Sequence, residues 1–274
     1  MSGAAAGERR LRDHVHGGTW FGCDGQGDAV VLIHGVGLDH NMWDRQVERL
    51  KTQFQVITYD MLGHGQSAHP PDERFLGDFV RQLHQLLMNL ELKRVAIVGF
   101  SMGGMVAREF TVQYPEMTSR LVLMNTVFRR SPDQQAAVMA RYEVSKSDRL
   151  EDGIDAAIRR WFSEDFARSN AAVVEQVRTR LRNNDPKGYL KAYKVFATAV
   201  DPDGTLPIAC PTLVMTGELD SGSTPEMAYA LAGAIKQGNA KILPGLRHMA
   251  PVEGADLVNQ VLMEFLTTTE NDEK

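Results

Sequence analysis

The sequence predicts an α/β protein in which a mostly parallel β-sheet carries helices on both faces and a helical cap is inserted into the chain. Two observations predict the sheet: short runs rich in valine, isoleucine and leucine recur along the chain, and amphipathic helical segments separate them. Such alternation is typical of parallel sheets that are buried on both faces. A third observation, one long helical interval without a strand run, predicts the cap.

Six runs are expected to form buried strands, at residues 29–35, 54–60, 94–100, 120–127, 212–218 and 240–245. Helical patterns accompany them in MWDRQVERLKT, residues 72–92, MGGMVAREFTVQYP, TPEMAYALAGAIK and GADLVNQVLMEFL. The stretch TWFGCDGQ adds a candidate antiparallel edge strand, although Gly22 and Gly25 weaken a strand pattern.

These patterns divide the chain into three parts. Residues 1–18 are interpreted as a flexible N-terminal tail, residues 19–127 and 205–270 as the α/β core, and residues 128–204 as the helical cap, or lid. The cap carries two more basic than acidic residues, whereas the whole chain has a net charge of −5. We therefore expect the basic groups to concentrate in the cap.

Charge and composition exclude several classes of function. A net charge of −5 and a pI near 5.9 argue against a nucleic-acid partner, because phosphate binding requires a basic surface. The two cysteines, Cys23 and Cys210, show no spacing typical of a disulfide framework or a zinc site. No apolar segment has the length of a signal peptide core or a membrane span. These features predict a cytoplasmic monomer or homodimer that acts on a small molecule, without a membrane partner.

The stretch VGFSMGGM, residues 98–105, carries the first chemical signal. A serine at a sharp turn from strand to helix is held in a strained conformation with its hydroxyl raised from the sheet. Gly99 and Gly103 would remove clashes with the neighbouring strand and helix. The helix that opens at Met102 directs free N–H groups towards whatever reacts with Ser101. The pattern predicts a catalytic serine, while an inert serine in a glycine-rich turn is the alternative.

Two further side chains follow at the expected places. Asp220 comes directly after the strand run TLVMTGE, and His248 lies in a loop before the last helix. Functional groups gather where strands of an open α/β sheet end, and the chain order serine, acid, histidine is that of one known catalytic triad. Glu218 is the rival acid and ranks below Asp220 because it lies at the end of the strand. His34 and His64 are interpreted as residues that order loops.

The motifs LIHGVG, YDMLGHGQS, GFSMGG, TGELD and LPGLRHM together resemble the α/β-hydrolase fold family over nearly the whole chain. The resemblance implies a serine hydrolase whose triad is Ser101, His248 and Asp220. It also implies that the backbone N–H groups of Val36 and Met102 form the oxyanion hole. An acyl-enzyme mechanism with these groups requires neither a metal nor an organic cofactor.

A second resemblance concerns the substrate. The segments GVGLDHNMWDRQVERL, RRWFSEDFARSN and NDPKGYLKAY are similar to 3-oxoadipate enol-lactonases. This implies cleavage of an ester or lactone in a small carboxylate-bearing substrate. The alternatives are an amide hydrolase of N-acyl aminomethylene-succinate intermediates from the breakdown of N-heterocycles, a general carboxylesterase and a carbon–carbon bond hydrolase. A non-catalytic receptor is a further alternative, against which the complete set of three side chains counts.

Cap residues are the candidates for binding this substrate. A guanidinium group pairs with a carboxylate through two hydrogen bonds, so Arg129, Arg130 and Arg160 are expected to hold the substrate. The alternative is that these arginines only face water. Trp161 is expected to pack the cap against the core and also to form a wall of the pocket.

Overall fold

An eight-stranded sheet forms the centre of the computed structural model, which describes residues 11–147 and 150–268. The strand order is β1-β2-β4-β3-β5-β6-β7-β8; β2 pairs in antiparallel orientation with both β1 and β4, and the other neighbours are parallel. The strands are β1 (Leu11–His16), β2 (Thr19–Asp24), β3 (Ala29–Ile33), β4 (Gln55–Tyr59), β5 (Val95–Phe100), β6 (Thr118–Met124), β7 (Thr212–Gly217) and β8 (Gly238–Leu243).

The described part of the chain contains eleven α-helices. They are α1 (Asp44–Leu50), α2 (Leu76–Asn89), α3 (Met102–Gln113), α4 (Pro132–Ser145), α5 (Leu150–Trp161), α6 (Glu164–Ser169), α7 (Ala171–Arg182), α8 (Pro186–Thr198), α9 (Pro225–Gly233), α10 (Ala250–Glu253) and α11 (Ala255–Thr267). None of these helices is both long and apolar enough to cross a membrane.

The sheet separates two apolar cores. Helices α2, α3 and α9 cover one face, and α1 and α11 cover the other. Strands β3, β5 and β7 are buried along their whole length, which explains why their sequences are continuous apolar runs rather than alternating ones. Strand β8 lies at the edge of the sheet and alternates between more and less exposed positions.

Each of the six predicted runs overlaps a strand, and the largest differences lie at strand ends. Strand β6 ends at Met124 instead of residue 127, because Asn125 adopts a left-handed conformation with φ 48° and cannot continue the extended backbone. Strand β8 ends at Leu243, because Pro244 has no N–H to donate and Gly245 has φ 68°. The candidate edge strand is present as β2.

The prediction of a flexible tail over residues 1–18 is wrong for residues 11–16, which form β1. Strand β2 would otherwise leave a row of unpaired backbone groups at the edge of the sheet, and β1 pairs with it in antiparallel orientation. Gly17 and Gly18 both have positive φ and form the tight turn between the two strands. Residues 1–10 lie outside the described residues.

Five helices, α4 to α8, lie between β6 and β7, in the interval that the sequence predicts as the cap. We call Pro132–Thr198 the helical insert. Polar bonds hold its α7–α8 side on loops of the core: Asn184 Nδ2 donates to Gly37 O (2.8 Å), and Arg180 forms an ion pair with Asp39 (2.6 Å). At the start of α8, Gly188 packs so closely on the loop at Gly63 that a Cβ on Gly188 would lie 2.7 Å from the Gly63 carbonyl oxygen.

Candidate active site

Ser101 occupies the turn between β5 and α3. Its backbone has φ 54° and ψ −117°, a conformation that L residues rarely adopt and that surrounding structure must enforce. Two hydrogen bonds hold it there: Ser101 N–H donates to Met124 O (2.9 Å), and Thr126 Oγ1 donates to Ser101 O (2.7 Å). The turn therefore stores strain at the one serine that the sequence singles out.

The glycines around Ser101 allow this turn to form. A Cβ on Gly99 would lie 2.3 Å from the carbonyl oxygen of Gly103, and a Cβ on Gly103 would lie 2.4 Å from the carbonyl oxygen of Ile33. Both contacts involve backbone atoms that cannot move aside. A side chain at Gly99 or Gly103 would therefore meet the clashes that the sequence pattern predicts.

The carboxylate of Asp220 lies in a dense set of donors after β7. Its Oδ1 accepts from the N–H groups of Gly222 (2.8 Å) and Ser223 (3.0 Å), and its Oδ2 accepts from Asn125 Nδ2 (2.9 Å). Burial alone raises the pKa of this carboxyl, but the charge of His248 and these hydrogen bonds together bring the pKa below its ordinary value. Asp220 is therefore held as a buried carboxylate.

His248 is bonded to the same carboxylate. Its Nδ1 lies 2.7 Å from Asp220 Oδ2, so Nδ1 carries the proton and Nε2 is the nitrogen that can accept one. The rings of Phe100 and Trp161 pack beside the imidazole, with centroids 5.0 and 5.9 Å away. Ser101 and His248 line one cavity. Within the described part of the chain, no hydrogen bond joins Ser101 Oγ to the imidazole.

Glu218, the rival acid, lies apart from this pair. Its side chain is exposed, and its Oε2 accepts from the N–H of Gly245 in the turn after β8 (2.8 Å). The structure therefore brings Asp220, and not Glu218, to His248.

Two backbone N–H groups lie near the serine. The loop after β3 approaches it so closely that a Cβ on Gly35 would be 3.2 Å from Ser101 Cβ, and Val36 follows and lines the cavity. Met102 is the first residue of α3, where the amide lacks an intrahelical acceptor. Among the described residues, neither the Val36 nor the Met102 amide donates a hydrogen bond. Both therefore remain available to a bound oxygen.

Two fully buried histidines hold the loop that carries Val36. His34 Nε2 accepts from Met61 N–H (2.9 Å), and His64 Nε2 accepts from Gly37 N–H (3.0 Å). Burial is the main cause that lowers the pKa of His34 to about 4 and that of His64 to about 3, so both imidazoles are neutral at pH 7. Their position agrees with the prediction that they order loops.

A cavity of about 700 Å³ opens above Ser101, between the core and the insert. Ser101, Asp220 and His248 of the core form its floor, and residues of α4, α5 and α8 form its walls. Trp161 lines it, as the sequence predicts, together with three aromatic side chains of α8: Tyr189, Tyr193 and Phe196. This size suits a small organic molecule.

Arginines lie along one wall of the cavity. Arg130 and Arg160, both predicted to bind substrate, line it together with Arg141 and Arg159. Burial lowers the pKa of Arg130 to about 10; burial and the neighbouring charge of Arg141 lower the pKa of Arg160. In the described ranges, no carboxylate forms an ion pair with Arg130, Arg141 or Arg160. We call these three residues the arginine cluster.

Arg129, in contrast to the prediction, lies away from the cavity. Its backbone has φ 49°, which turns the side chain back towards the exit of the insert. The guanidinium donates to the carbonyl oxygens of Pro202 (3.2 Å) and Gly204. The backbone N–H of Arg129 donates to Asp201 Oδ2 (2.6 Å). Arg129 thus links the two segments that flank the insert, and its guanidinium does not face the cavity.

Sequence reasoning missed Arg141 and the aromatic face of α8. A signal for the latter is present, because Tyr189, Tyr193 and Phe196 are spaced four and three residues apart and so lie on one helical face. Arg141 has no local signal, since its direction depends on how α4 packs against α8. Among the described residues, no three His, Cys, Asp or Glu side chains are grouped so as to hold a metal ion.

Comparison with known proteins defines the class. A family model described as the alpha/beta hydrolase fold matches residues 28–255, and the chain belongs to this family of hydrolases. It is 35% identical over 247 residues to (E)-2-((N-methylformamido)methylene)succinate hydrolase from Acinetobacter baylyi, covering 89% of this chain and 92% of that protein. It is 25% identical over 240 residues to 3-oxoadipate enol-lactonase 2 of the same organism, covering 87% and 89%.

A solved structure also resembles this fold. The enol-lactonase from Burkholderia xenovorans superimposes with a TM-score of 0.83 at 26% sequence identity, over 91% of this chain and 96% of that one. The similarity to enol-lactonases that the sequence motifs indicate is therefore present in sequence and in structure.

Proposed function

We propose that the protein is a serine hydrolase that cleaves an acyl bond in a small substrate with at least two carboxylates. One observation carries the proposal: the strained turn at Ser101 and the bonded pair Asp220–His248 open into one cavity, whose wall holds the arginine cluster. The first part supports the chemistry, and the second supports the class of substrate.

In the proposed mechanism, Ser101 Oγ attacks the carbonyl carbon of the substrate while His248 Nε2 takes the hydroxyl proton. Asp220 holds the imidazole in the tautomer that leaves Nε2 free and stabilises the imidazolium that forms. The imidazolium then gives its proton to the leaving nitrogen or oxygen as the bond to the carbonyl carbon breaks. A water, deprotonated by the same nitrogen, attacks the acyl-serine, releases the acid and restores Ser101.

The amides of Val36 and Met102 form the proposed oxyanion hole. Neither has another acceptor within the described residues, and both belong to segments that touch Ser101. Donors that are already in place stabilise the developing negative charge without reorganisation, and loss of one such donor typically costs roughly 3 kcal/mol of transition-state stabilisation.

The arginine cluster supports a substrate with carboxylates. Its three guanidinium groups stand close enough that Arg141 lowers the pKa of both Arg130 and Arg160; Asp201 and Asp220 act on them only from a distance, and no described carboxylate forms an ion pair with them. Arg130 and Arg160 donate hydrogen bonds to the carbonyl oxygens of Phe196 and Ala156, which leave their charges without a counter-ion in contact. Partly buried cations of this kind are unfavourable, and a bound dianion would relieve this. The aromatic face of α8 and Trp161 would flank the unsaturated part of such a molecule.

An N-acyl aminomethylene-succinate amide is the preferred substrate class. The relative with 35% identity over most of both chains is named for a substrate of this kind, and succinate provides two carboxylates for the cluster. The second candidate is the enol-lactone, favoured by the similarity to the solved enol-lactonase. The leaving atom is nitrogen in the amide and oxygen in the lactone. The lactone uses one of its two carboxyl groups in the scissile bond and offers the cluster only one free carboxylate, so the cluster favours the amide.

Labelling with a fluorophosphonate probe tests the chemistry. We expect the wild-type protein to label covalently and to hydrolyse 4-nitrophenyl acetate, and Ser101→Ala to do neither. A wild-type protein that fails to label would point to a non-catalytic receptor. Turnover of an N-acyl aminomethylene-succinate, an enol-lactone, a simple ester and a carbon–carbon substrate then identifies the bond.

Arg160→Ala tests the substrate class. Loss of a guanidinium–carboxylate contact is expected to raise KM for the dicarboxylate about ten- to a hundred-fold, with little change for 4-nitrophenyl acetate. The matched control is Arg168→Ala, because Arg168 is exposed on α6 and pairs only with Asp165 in the described structure. Equal KM values for Arg160→Ala and wild type would remove the cluster from the binding site.

A further inference from the structure

The loop that carries His248 is bonded directly to the end of α5. Arg247 Nη1 donates to the carbonyl oxygens of Arg159 (2.7 Å) and Phe162 (3.0 Å). On the other side of His248, the N–H of Met249 donates to Trp161 O (2.9 Å). Both neighbours of the proposed base therefore hold the same turn of the insert.

These bonds use groups that the helix cannot satisfy itself. The last carbonyls of an α-helix have no intrahelical donor, and a cation beside them also complements the negative end of the helix dipole. Arg247 supplies that cation at the end of α5. The next turn is held as well, since Ser163 N–H donates to Glu253 Oε1 of α10 (3.1 Å).

The end of α5 forms a wall of the cavity. Arg160 and Trp161 lie there, and the Trp161 ring stands 5.9 Å from the His248 ring. Arg247 itself is half-buried and is not among the residues that line the cavity. Its effect on a substrate must therefore pass through the wall.

We propose that Arg247 is a positioning residue: it locks the substrate-facing end of α5 to the His248 loop, so that Arg160 and Trp161 keep a fixed place relative to the general base. The inference rests on the proposed function, because it assigns the wall to substrate binding. A dicarboxylate held by Arg160 is then presented to Ser101 and His248 in one orientation. A small ester without carboxylates does not depend on this wall.

Kinetics with two substrates separates positioning from a general loss of stability. For Arg247→Ala we expect kcat/KM for an N-acyl aminomethylene-succinate to fall at least ten-fold, mainly through KM. The kcat for 4-nitrophenyl acetate is expected to stay within about threefold of wild type. Arg247→Lys, which can still donate to one carbonyl, should restore part of the loss, and Arg168→Ala should behave as wild type. An equal fall for both substrates, or no fall for either, would overturn the inference.

Hydrogen–deuterium exchange tests the same coupling without a substrate. In Arg247→Ala, amide exchange in peptides that cover residues 155–166 and 246–250 is expected to rise together, while exchange in β5 stays at the wild-type level. Unchanged exchange at the end of α5 would also overturn the inference. Because labelling of Ser101 reports separately on the chemistry, failure of the proposed function can be told apart from failure of this coupling.

Discussion

The buried histidines His34 and His64 differ from His248 in the hydrogen bonds of their rings. His34 and His64 are fully buried, and in each the two ring nitrogens both contact backbone groups. His248 is 9% exposed, and its Nδ1 contacts the Asp220 carboxylate. Its Nε2 makes no hydrogen bond within the described residues. Of these three histidines, His248 alone keeps a nitrogen available to a substrate.

The difference shows what burial does to an imidazole in each place. Among the described residues, no carboxylate is hydrogen-bonded to His34 or His64; burial lowers the pKa of both, outweighs the opposing charge of Asp60, and keeps the neutral form. Beside His248, a carboxylate stabilises the charged form that proton transfer produces. We infer that His34 and His64 shape the loop of the oxyanion hole, whereas His248 transfers protons.

The largest expected effect follows from removing the proposed base. Glutamine in His248→Gln has a similar size but cannot take a proton, so kcat is expected to fall on the order of 10⁴-fold or more. Turnover of 4-nitrophenyl acetate measures the loss, and circular dichroism checks that the fold is kept. Near-normal turnover in a folded variant would assign proton transfer to another group.

A somewhat smaller effect is expected at the acid. In Asp220→Asn the side chain can no longer hold the Nδ1–H tautomer or stabilise the imidazolium, and kcat is expected to fall by roughly 10³- to 10⁴-fold. Glu218→Gln is the matched control, because its carboxylate contacts only the Gly245 N–H in the described structure. We expect that variant to stay within about threefold of wild type. The opposite ranking would exchange the roles of the two acids.

The sequence predicts the sheet and the positions of the proposed triad because both depend on local signals. Ser101 is marked by its glycines, and Asp220 and His248 follow strand runs whose ends meet at one edge of the sheet. Asn125, which donates to Asp220, could not be assigned this way. Its role arises only because β6 and β7 are neighbours in the sheet.

The residues that form the cavity wall were also hard to predict, because their positions depend on which elements are neighbours in the fold. Arg129 and Arg130 are adjacent and look equivalent in the sequence, yet the positive φ of Arg129 sends the two guanidinium groups to different places. Arg141 reaches the cavity from another helix. The packing of the insert helices against one another decides which arginines face the cavity, and no local pattern encodes that packing.

The smallest expected effect concerns stability at low pH. The ordinary pKa of a histidine is about 6.5, and in the folded protein the values are about 4 for His34 and about 3 for His64. The unfolded chain thus binds more protons below pH 6.5. The stabilisation from both groups is complete above that pH and is lost as the pH falls towards 4 and 3. Each group contributes at most about 1.4 kcal/mol per pH unit to the free energy of unfolding.

Urea denaturation at a series of pH values checks this, and His64→Ala isolates one of the two groups. The variant loses the acceptor for Gly37 N–H and is expected to be about 2–3 kcal/mol less stable at pH 7.5. Between about pH 6 and pH 4.5, its unfolding free energy should also fall less steeply than that of wild type, because one fewer proton is taken up on unfolding. The window lies above the ordinary pKa of aspartate, so the lowered pKa of Asp220 contributes little within it. An unchanged slope would mean that His64 is not held neutral in the folded protein.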